Sequence, residues 1–140
     1  MAYWIKLIYE KNSYIIDLDT ISAFSKELDN NRIAFWLPHS SQPIILNPHG
    51  NSDAYRQVID YLKRTIDRNS QKCWVTINYD RKEFSIDLSR ISFFAWEPNG
   101  RLTFCLPDSA LNIVLAPHTN PHDYQKLQEY IKNTTGLSGP

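Results

Sequence analysis

Residues 4–28, WIKLIYEKNSYIIDLDTISAFSKEL, recur as residues 74–98, WVTINYDRKEFSIDLSRISFFAWEP, with nine identities in 25. Residues 32–65 recur as residues 101–134, with fourteen identities in 34. A single one-residue gap therefore aligns the two halves of the chain. Self-similarity at a fixed period is typical of a repeated structural unit. We accordingly divide the chain into unit 1, residues 1–70, and unit 2, residues 71–140.

Each unit opens with two runs in which apolar and polar side chains alternate, the pattern of half-buried strands. A short polar turn separates the two runs, so we predict an antiparallel hairpin at the start of each unit. In unit 1 the apolar series of this hairpin is Tyr3, Ile5, Leu7, Tyr9, Tyr14, Ile16 and Leu18.

Two further strands and a helix are predicted after the hairpin. In unit 1 the third strand ends at Pro38, which cannot donate to a ladder, and residues 44–46 form a short fourth strand. Apolar residues then recur at helical spacing, and Asn51 and Asn120 stand where N-caps are expected. The sequence therefore predicts an α+β fold with an internal tandem repeat. Each unit is a four-stranded antiparallel β-meander followed by one α-helix.

The two units are expected to form one compact domain. A unit of about 70 residues is near the lower limit for an independent core. We expect the units to be related by a pseudo-twofold axis. Their sheets would be either joined edge to edge into one eight-stranded sheet or packed face to face.

Charge and composition narrow the class of partner. The formal net charge is zero, and it is balanced within each half, with eight basic and eight acidic side chains in unit 1 and seven of each in unit 2. We therefore expect no nucleic-acid partner and no anionic membrane partner. The apolar runs are too short for a transmembrane helix, and Met1 leads directly into a strand-like segment. A soluble protein of the cytoplasm is expected.

The sequence contains little that indicates a metal site, a cofactor site or a catalytic site. Cys73 and Cys105 occur only in unit 2, so they belong to no repeated ligand set, and we expect neither a metal nor a cofactor. Asp17 and Asp87 could act as general bases, but pairing with a basic neighbour such as Lys6 or Arg81 is favoured. No glycine-rich phosphate loop and no G-x-S-x-G elbow occurs. The sequence favours a protein without catalytic activity.

His49 and His118 are the candidate ligand residues, because each precedes a predicted helix at the same position of its unit. An imidazole beside a helix N-terminus could bind an anion or act as an acid or base near pH 7. The competing interpretation, which we favour, is that both histidines simply fill turns.

Trp4, Trp36 and Trp74 form the candidate interaction surface, because they alternate away from the main apolar series of their strands. A sheet face with this much apolar surface is normally covered, either by the other unit or by another chain. We therefore expect a non-catalytic interaction or adaptor module that binds a protein partner or a second copy of itself. The alternative is a small-molecule-binding protein or enzyme that uses the cleft between the units, with the two histidines and the tryptophans lining it.

Overall fold

A computed structural model describes residues 2–40, 42–67 and 74–140, and it describes residues 66 and 67 by their backbone alone. These residues form antiparallel sheets and two α-helices, which confirms the predicted α+β class. The elements of the first half are β1 (Trp4–Tyr9), β2 (Asn12–Asp17), β3 (Ala23–Glu27), β4 (Ile33–Trp36), β5 (Pro43–Leu46) and α1 (Ser52–Asp67). Those of the second half are β6 (Trp74–Tyr79), β7 (Lys82–Asp87), β8 (Ala95–Trp96), β9 (Leu102–Cys105), β10 (Asn112–Leu115) and α2 (Pro121–Thr135).

The prediction of four strands in each unit was wrong, because β3 and β8 were missed. β3 lies between β4 and β7 in the middle of a sheet, and both of its faces are covered. Phe24 packs in one core and Ala23 in another. A strand that is buried on both faces does not alternate between apolar and polar side chains, so periodicity does not reveal it.

Each half opens with the predicted hairpin, and both hairpins turn through two residues with positive φ. These residues are Glu10 and Lys11 between β1 and β2, with φ of 48° and 69°. Between β6 and β7 they are Asp80 and Arg81, with φ of 51° and 61°. A two-residue loop with positive φ at both positions is the type I′ turn, whose twist matches that of the flanking strands.

The described strands form three sheets, with the orders β1-β2, β5-β4-β3-β7-β6 and β10-β9-β8. This is neither the single eight-stranded sheet nor the simple face-to-face packing that was expected. The two halves are joined where β3 pairs with β7 in an antiparallel ladder from Ala23 opposite Ile86 to Glu27 opposite Lys82. The hairpin of the second half has therefore been added to the three-stranded meander of the first.

Two hydrophobic cores lie on either side of this shared sheet. The first contains the inner face of hairpin β1–β2, strands β3 to β5 and α1, and it also includes Trp74 from the second half. The second contains β6, β7, β9, β10 and α2, and it includes Ala23 from the first half, with Trp36 packed against it. Each core thus contains side chains from both halves. The prediction of one domain rather than two stays a prediction, and residues 68–73 of the proposed linker lie outside the described residues.

Both helices begin where the sequence predicted, but Asn120 makes no side-chain hydrogen bond to the start of α2, and both asparagines bond backward instead. Asn51 Oδ1 accepts a hydrogen bond from Asn47 N at 3.0 Å, and Asn120 Oδ1 accepts one from Ala116 N at 3.3 Å. Each side chain thus bonds back to the end of the preceding strand and closes a five-residue loop. The backbone N–H groups of the same two asparagines close the ring by donating to Asn47 O and Ala116 O.

Candidate interaction surface

The outward side of hairpin β1–β2 is the most apolar exposed surface among these strands. Ile5, Leu7 and Ile16 point into the first core. On the opposite side Trp4, Ile8 and Ile15 are 62%, 68% and 70% exposed. The register places Lys6 opposite Ile15, Ile8 opposite Ser13 and Trp4 opposite Asp17, so all of these side chains share one side. We call this set, Trp4, Lys6, Ile8, Ser13, Ile15 and Asp17, the outer face.

The outer face borders an open strand edge. Leu18 N donates to Tyr3 O, and ladder bonds alternate along an antiparallel pair. The backbone N–H and C=O groups of Ser13 and Ile15 therefore point away from β1. Within the part of the chain that the structure describes, β2 pairs only with β1. The hairpin thus offers both apolar side chains and unpaired backbone groups.

The corresponding hairpin of the second half is in a different environment. β7 pairs with β3, and Trp74, the counterpart of Trp4, is 4% exposed in the first core. Trp36 is half-buried against the second core. The three tryptophans of the predicted surface therefore do not meet on one face, since only Trp4 is well exposed and Trp74 is not available to a partner.

Alternation predicts Ile8 on the same face as Trp4, but Ile15 was absent from the predicted surface, although the sequence contains a signal for both isoleucines. Their counterparts in unit 2 are Asn78 and Ser85, which are polar. Ser85 lies beside the first core and Ile15 lies at the surface. An apolar residue in only one copy of a repeat indicates a contact that the other copy does not make.

Asp17 and Asp87 have a structural role that the sequence interpretation did not foresee. Asp17 Oδ1 accepts hydrogen bonds from Tyr3 N and Asp19 N, both at 3.0 Å. Asp87 Oδ1 accepts from Ser89 N at 3.1 Å and from Ser89 Oγ at 2.6 Å. The two carboxylates cap the 3-10 turns Leu18–Thr20 and Leu88–Arg90. The predicted pairing with Lys6 or Arg81 was therefore wrong, although Asp87 Oδ2 does lie 3.5 Å from Arg90 Nε.

His49 and His118 are exposed in the loops that precede α1 and α2. The structure brings neither to a cleft between the halves, and neither lines the two grooves described below. No group of three or more His, Cys, Asp or Glu side chains suited to a metal ion occurs in the described ranges, from which Cys73 is missing.

Two grooves lie beside the shared sheet. One, of about 480 Å³, runs between α1 and the β3–β7 junction. Its lining is Phe24, Ser25, Lys26, Tyr55, Ile59, Leu62, Lys63, Glu83 and Ser85. The other, of about 210 Å³, lies beside Trp36 and Phe84 on the opposite side of the sheet.

An ion pair borders the smaller groove. Arg32 Nε lies 2.6 Å from Glu27 Oε2, and a second Arg32 nitrogen lies 3.2 Å from Glu27 Oε1. The hydrogen bond from Arg32 lowers the pKa of the Glu27 carboxyl. Burial raises the pKa of the Tyr61 hydroxyl, which lies on the far side of the sheet. This hydroxyl donates a hydrogen bond to Asp19 Oδ1 at 2.6 Å, and the hydrogen bond raises the pKa further. We assign a structural role to both polar contacts, because in each of them the polar groups bond to one another.

The helices and the comparisons with other proteins add two findings. Neither helix that the structure describes is long and apolar enough to cross a membrane. Comparison of the chain with protein-family models, with curated proteins and with solved structures found no match.

Proposed function

We propose that this chain is a non-catalytic protein-interaction module, and that its partner binds the outer face and the open edge of β2. The carrying observation is the exposure of Trp4, Ile8 and Ile15 on a hairpin whose other side is buried. Complete burial of a large apolar side chain is worth about 1.5–3 kcal/mol. A tryptophan with two isoleucines beside an unpaired strand edge combines a hot spot with the backbone groups used in strand addition.

We also propose that the two halves are tandem copies of one fold, related by an approximate twofold axis. The support is a set of hydrogen bonds that recur at the sequence offset of 69. Tyr55 Oη donates to Asn31 O at 2.7 Å, and Tyr124 Oη donates to Gly100 O at 2.8 Å. His39 N donates to Asp108 Oδ1 at 2.9 Å. His39 and Asp108 occupy corresponding positions, and contacts of that kind arise at a twofold axis. The symmetry is only approximate in the described ranges, because β7 pairs with β3 whereas β2 does not pair with β8. A crystal structure in which the halves have different strand orders would contradict the proposal.

The proposed function is tested by site-specific photo-cross-linking in the native host. A photoreactive residue replaces Ile8 in one variant and Gln57, which is exposed on α1, in a matched control. We expect discrete protein adducts from position 8 that are absent from position 57. The adducts should disappear when Trp4→Ser is added to the first variant. Equal cross-linking from both positions, or none from position 8, would contradict the proposal.

Small-molecule binding is a second candidate, and the larger groove is the observation that favours it. A volume of about 480 Å³ is in the range of ligand pockets, and the buried residue Ser85, which lies on the same face of the sheet as Phe24, contributes a hydroxyl. Titration with a library of polar metabolites should then shift the NMR signals of Ser85. His49→Asn and His118→Asn should leave such binding unchanged, because neither histidine lines the groove. Lost affinity in that double variant would restore the histidines as ligand residues.

The cytoplasmic location and the absence of nucleic-acid and membrane partners stay predictions from the sequence. Balanced charge in both halves supports the absence of nucleic-acid and membrane partners. Cell fractionation of the native host and a nucleic-acid binding assay at low salt would test them, since electrostatic binding is strongest at low ionic strength.

A further inference from the structure

We propose that the partner is a second copy of this chain, with β2 of one copy pairing antiparallel with β8 of another. This inference rests on the proposed function, because it assigns an occupant to the same outer face and edge. The argument uses an interface that the chain already contains. Hairpin β6–β7 docks on β3 within one molecule, and hairpin β1–β2 and β8 are the corresponding pair of elements.

The internal interface shows what docking of a hairpin achieves. Ser85 of β7 lies opposite Phe24, and Glu83 lies opposite Lys26. Asp87 N donates to Ser22 O at 2.9 Å at one end of the ladder. The hairpin also carries Trp74 into the first core. Docking therefore pairs two strand edges and buries one tryptophan.

β8 is the acceptor that corresponds to β3, and its outer edge is open. Ala95 pairs with Thr103, and Glu97 N donates to Arg101 O, so these alternate groups face β9. The backbone groups of Phe94 and Trp96 consequently point away from β9. Across the described ranges β8 pairs only with β9.

The side chains beside β8 are exposed where those of β3 are buried. Ser22 and Ala23 are 3% and 2% exposed, because β7 covers them. Their counterparts Ser92 and Phe93 are exposed, and Phe93 is one of the most exposed large apolar side chains, at 58%. The second half therefore has an apolar acceptor edge without the hairpin that covers the first.

An aromatic cluster indicates which side chain fits there. In the first half the ring of Phe24 lies 5.7 Å from Phe35, 6.0 Å from Tyr61 and 6.0 Å from Trp74. In the second half the counterpart of Phe24 is Phe94, which lies 5.7 Å from Phe104 and 6.5 Å from Tyr130. Phenylalanine and tyrosine thus recur at corresponding positions.

The tryptophan of this cluster has its counterpart in Trp4, which stands at the surface of the same chain. Trp4 of a second copy would take beside Phe94 the place that Trp74 takes beside Phe24. Aromatic pairs of this kind add to the free energy of burial.

The internal ladder fixes the register of the proposed one. Ile15 of one copy should lie opposite Phe94 of the other, as Ser85 lies opposite Phe24 in the internal ladder. Ser13 should likewise lie opposite Trp96, as Glu83 lies opposite Lys26. Asp17 N would donate to Ser92 O. The last bond of the internal ladder, from Leu28 N to Arg81 O, has no counterpart, since residue 98 is proline. The ladder between copies is therefore shorter by one bond.

The hairpin of the same molecule does not reach this acceptor in the structure. Ile5, Leu7 and Ile16 hold β1–β2 in the first core, while Leu102 and Phe104 hold β9, and with it β8, in the second. Both elements are thus fixed by buried side chains in positions where their open edges do not pair. A second copy provides an outer face and an edge without disturbing either core.

The C-terminal residues partly cover the acceptor. Ser138, Gly139 and Pro140 line a groove with Trp96, Ile131 and Lys132. In the corresponding groove of the first half, Glu83 and Ser85 of the docked hairpin take that place beside Lys26. A Cβ at Gly139 would collide with the Trp96 ring, so the tail lies directly on the indole. Removing these residues should therefore strengthen association.

Sedimentation velocity of the purified chain, and of a form that ends at Gly136, tests the inference. We expect concentration-dependent self-association that is stronger in the shorter form. Trp4→Ala and Ile15→Pro should each weaken it by about 30-fold or more. Gln57→Ala is the matched control, because Gln57 is exposed on α1 and belongs neither to the outer face nor to β8, and it should leave association unchanged.

Complementation gives the sharper result. Ile15→Pro blocks the donor edge, and Phe93→Lys places a charge on the acceptor edge at an exposed site that the fold tolerates. Each variant alone should be monomeric, whereas their mixture should form a 1:1 dimer through the one intact donor and the one intact acceptor. Circular dichroism confirms that each variant is folded.

Three outcomes would overturn the inference. The first is a monomer in both forms at every concentration tested. The second is association that survives Trp4→Ala and Ile15→Pro. The third is a monomer in which the amides of Phe94 and Trp96 resist hydrogen exchange, which would show that the chain's own hairpin closes on β8. Adducts from position 8 with a different protein, together with a monomeric pure chain, would support the proposed function and reject the second copy.

Discussion

Strands β3 and β8 occupy the same place in the two halves but differ in length and environment. β3 runs for five residues with a ladder on each side, whereas β8 runs for two with a ladder on one side. Their sequences, AFSKE and FFAWE at corresponding positions, are both capable of extended structure. The difference is the docked hairpin, which covers β3 alone. Strand length here is set by the presence of a partner strand rather than by local preference.

The two cores offer the largest test of how alike the halves are. Phe35 and Phe104 are 0% and 1% exposed at corresponding positions. Truncation to alanine should lower the free energy of unfolding by about 3–5 kcal/mol in each case. Because each core contains side chains from both halves, urea denaturation of either variant should show a single transition. Two separate transitions, one of them unshifted, would show that the halves are independent domains.

The paired tryptophans sharpen the comparison of the hairpins. Trp74→Ala should lower stability by about 3–5 kcal/mol, because the side chain is buried among aromatic rings. Trp4→Ala should change stability of the monomer by about 0.5 kcal/mol or less. Thermal and chemical denaturation at low protein concentration measures both. A large loss from Trp4→Ala under those conditions would mean that Trp4 packs within its own molecule.

Proline substitutions compare the paired edge with the open one. Ser85 N–H belongs to the β3–β7 ladder, so Ser85→Pro should cost about 1–3 kcal/mol and loosen the joint between the halves. Ile15 N–H points to the open edge, where proline is tolerated, and Ile15→Pro should cost the monomer much less. Hydrogen exchange of the β3 amides gives the readout. Equal costs for the two variants would contradict the assignment of β2 as an open edge.

The smallest effect concerns the ion pair of Glu27 and Arg32. Its counterpart in the second half is Glu97 with Arg101, at 2.9 Å. Because the folded state lowers the pKa of Glu27 below its usual 4.5, the pair stabilises the protein above that pH. The stabilisation is lost as the pH falls through the lowered pKa. Glu27→Gln should therefore be slightly less stable than the parent at pH 7 and equal to it near pH 2. A difference that persists at acid pH would show that packing, not charge, is responsible.

Much of each unit was predictable from periodicity. The alternation in residues 3–9 indicates a strand with one buried and one solvent-exposed face, and Pro38 indicates where another strand ends. The helical spacing that ends near Gly136 is similarly direct. These features depend on neighbours that are close in sequence.

The arrangement of the hairpins was not predictable, because it depends on which edges meet. Trp4 and Trp74 are identical residues at corresponding positions, yet one is exposed and the other buried. The positions of the asparagines before the helices were predicted correctly, but their hydrogen-bond partners were not. A side chain that can cap a helix can equally accept a hydrogen bond from the preceding loop. Asp17 likewise satisfied a local turn rather than a basic neighbour across the strand.

The type I′ turns of the two hairpins provide a way to adjust each hairpin independently. Neither turn contains glycine, although all four central residues have positive φ, a conformation that costs an ordinary residue about 1 kcal/mol. Replacing Glu10-Lys11 or Asp80-Arg81 with Asn-Gly would relieve that strain without touching either core or either strand edge. Both turns are therefore sites where a substitution can stabilise the fold. Such a stabilising substitution, whether engineered or arising naturally, would offset a destabilising change elsewhere in the chain.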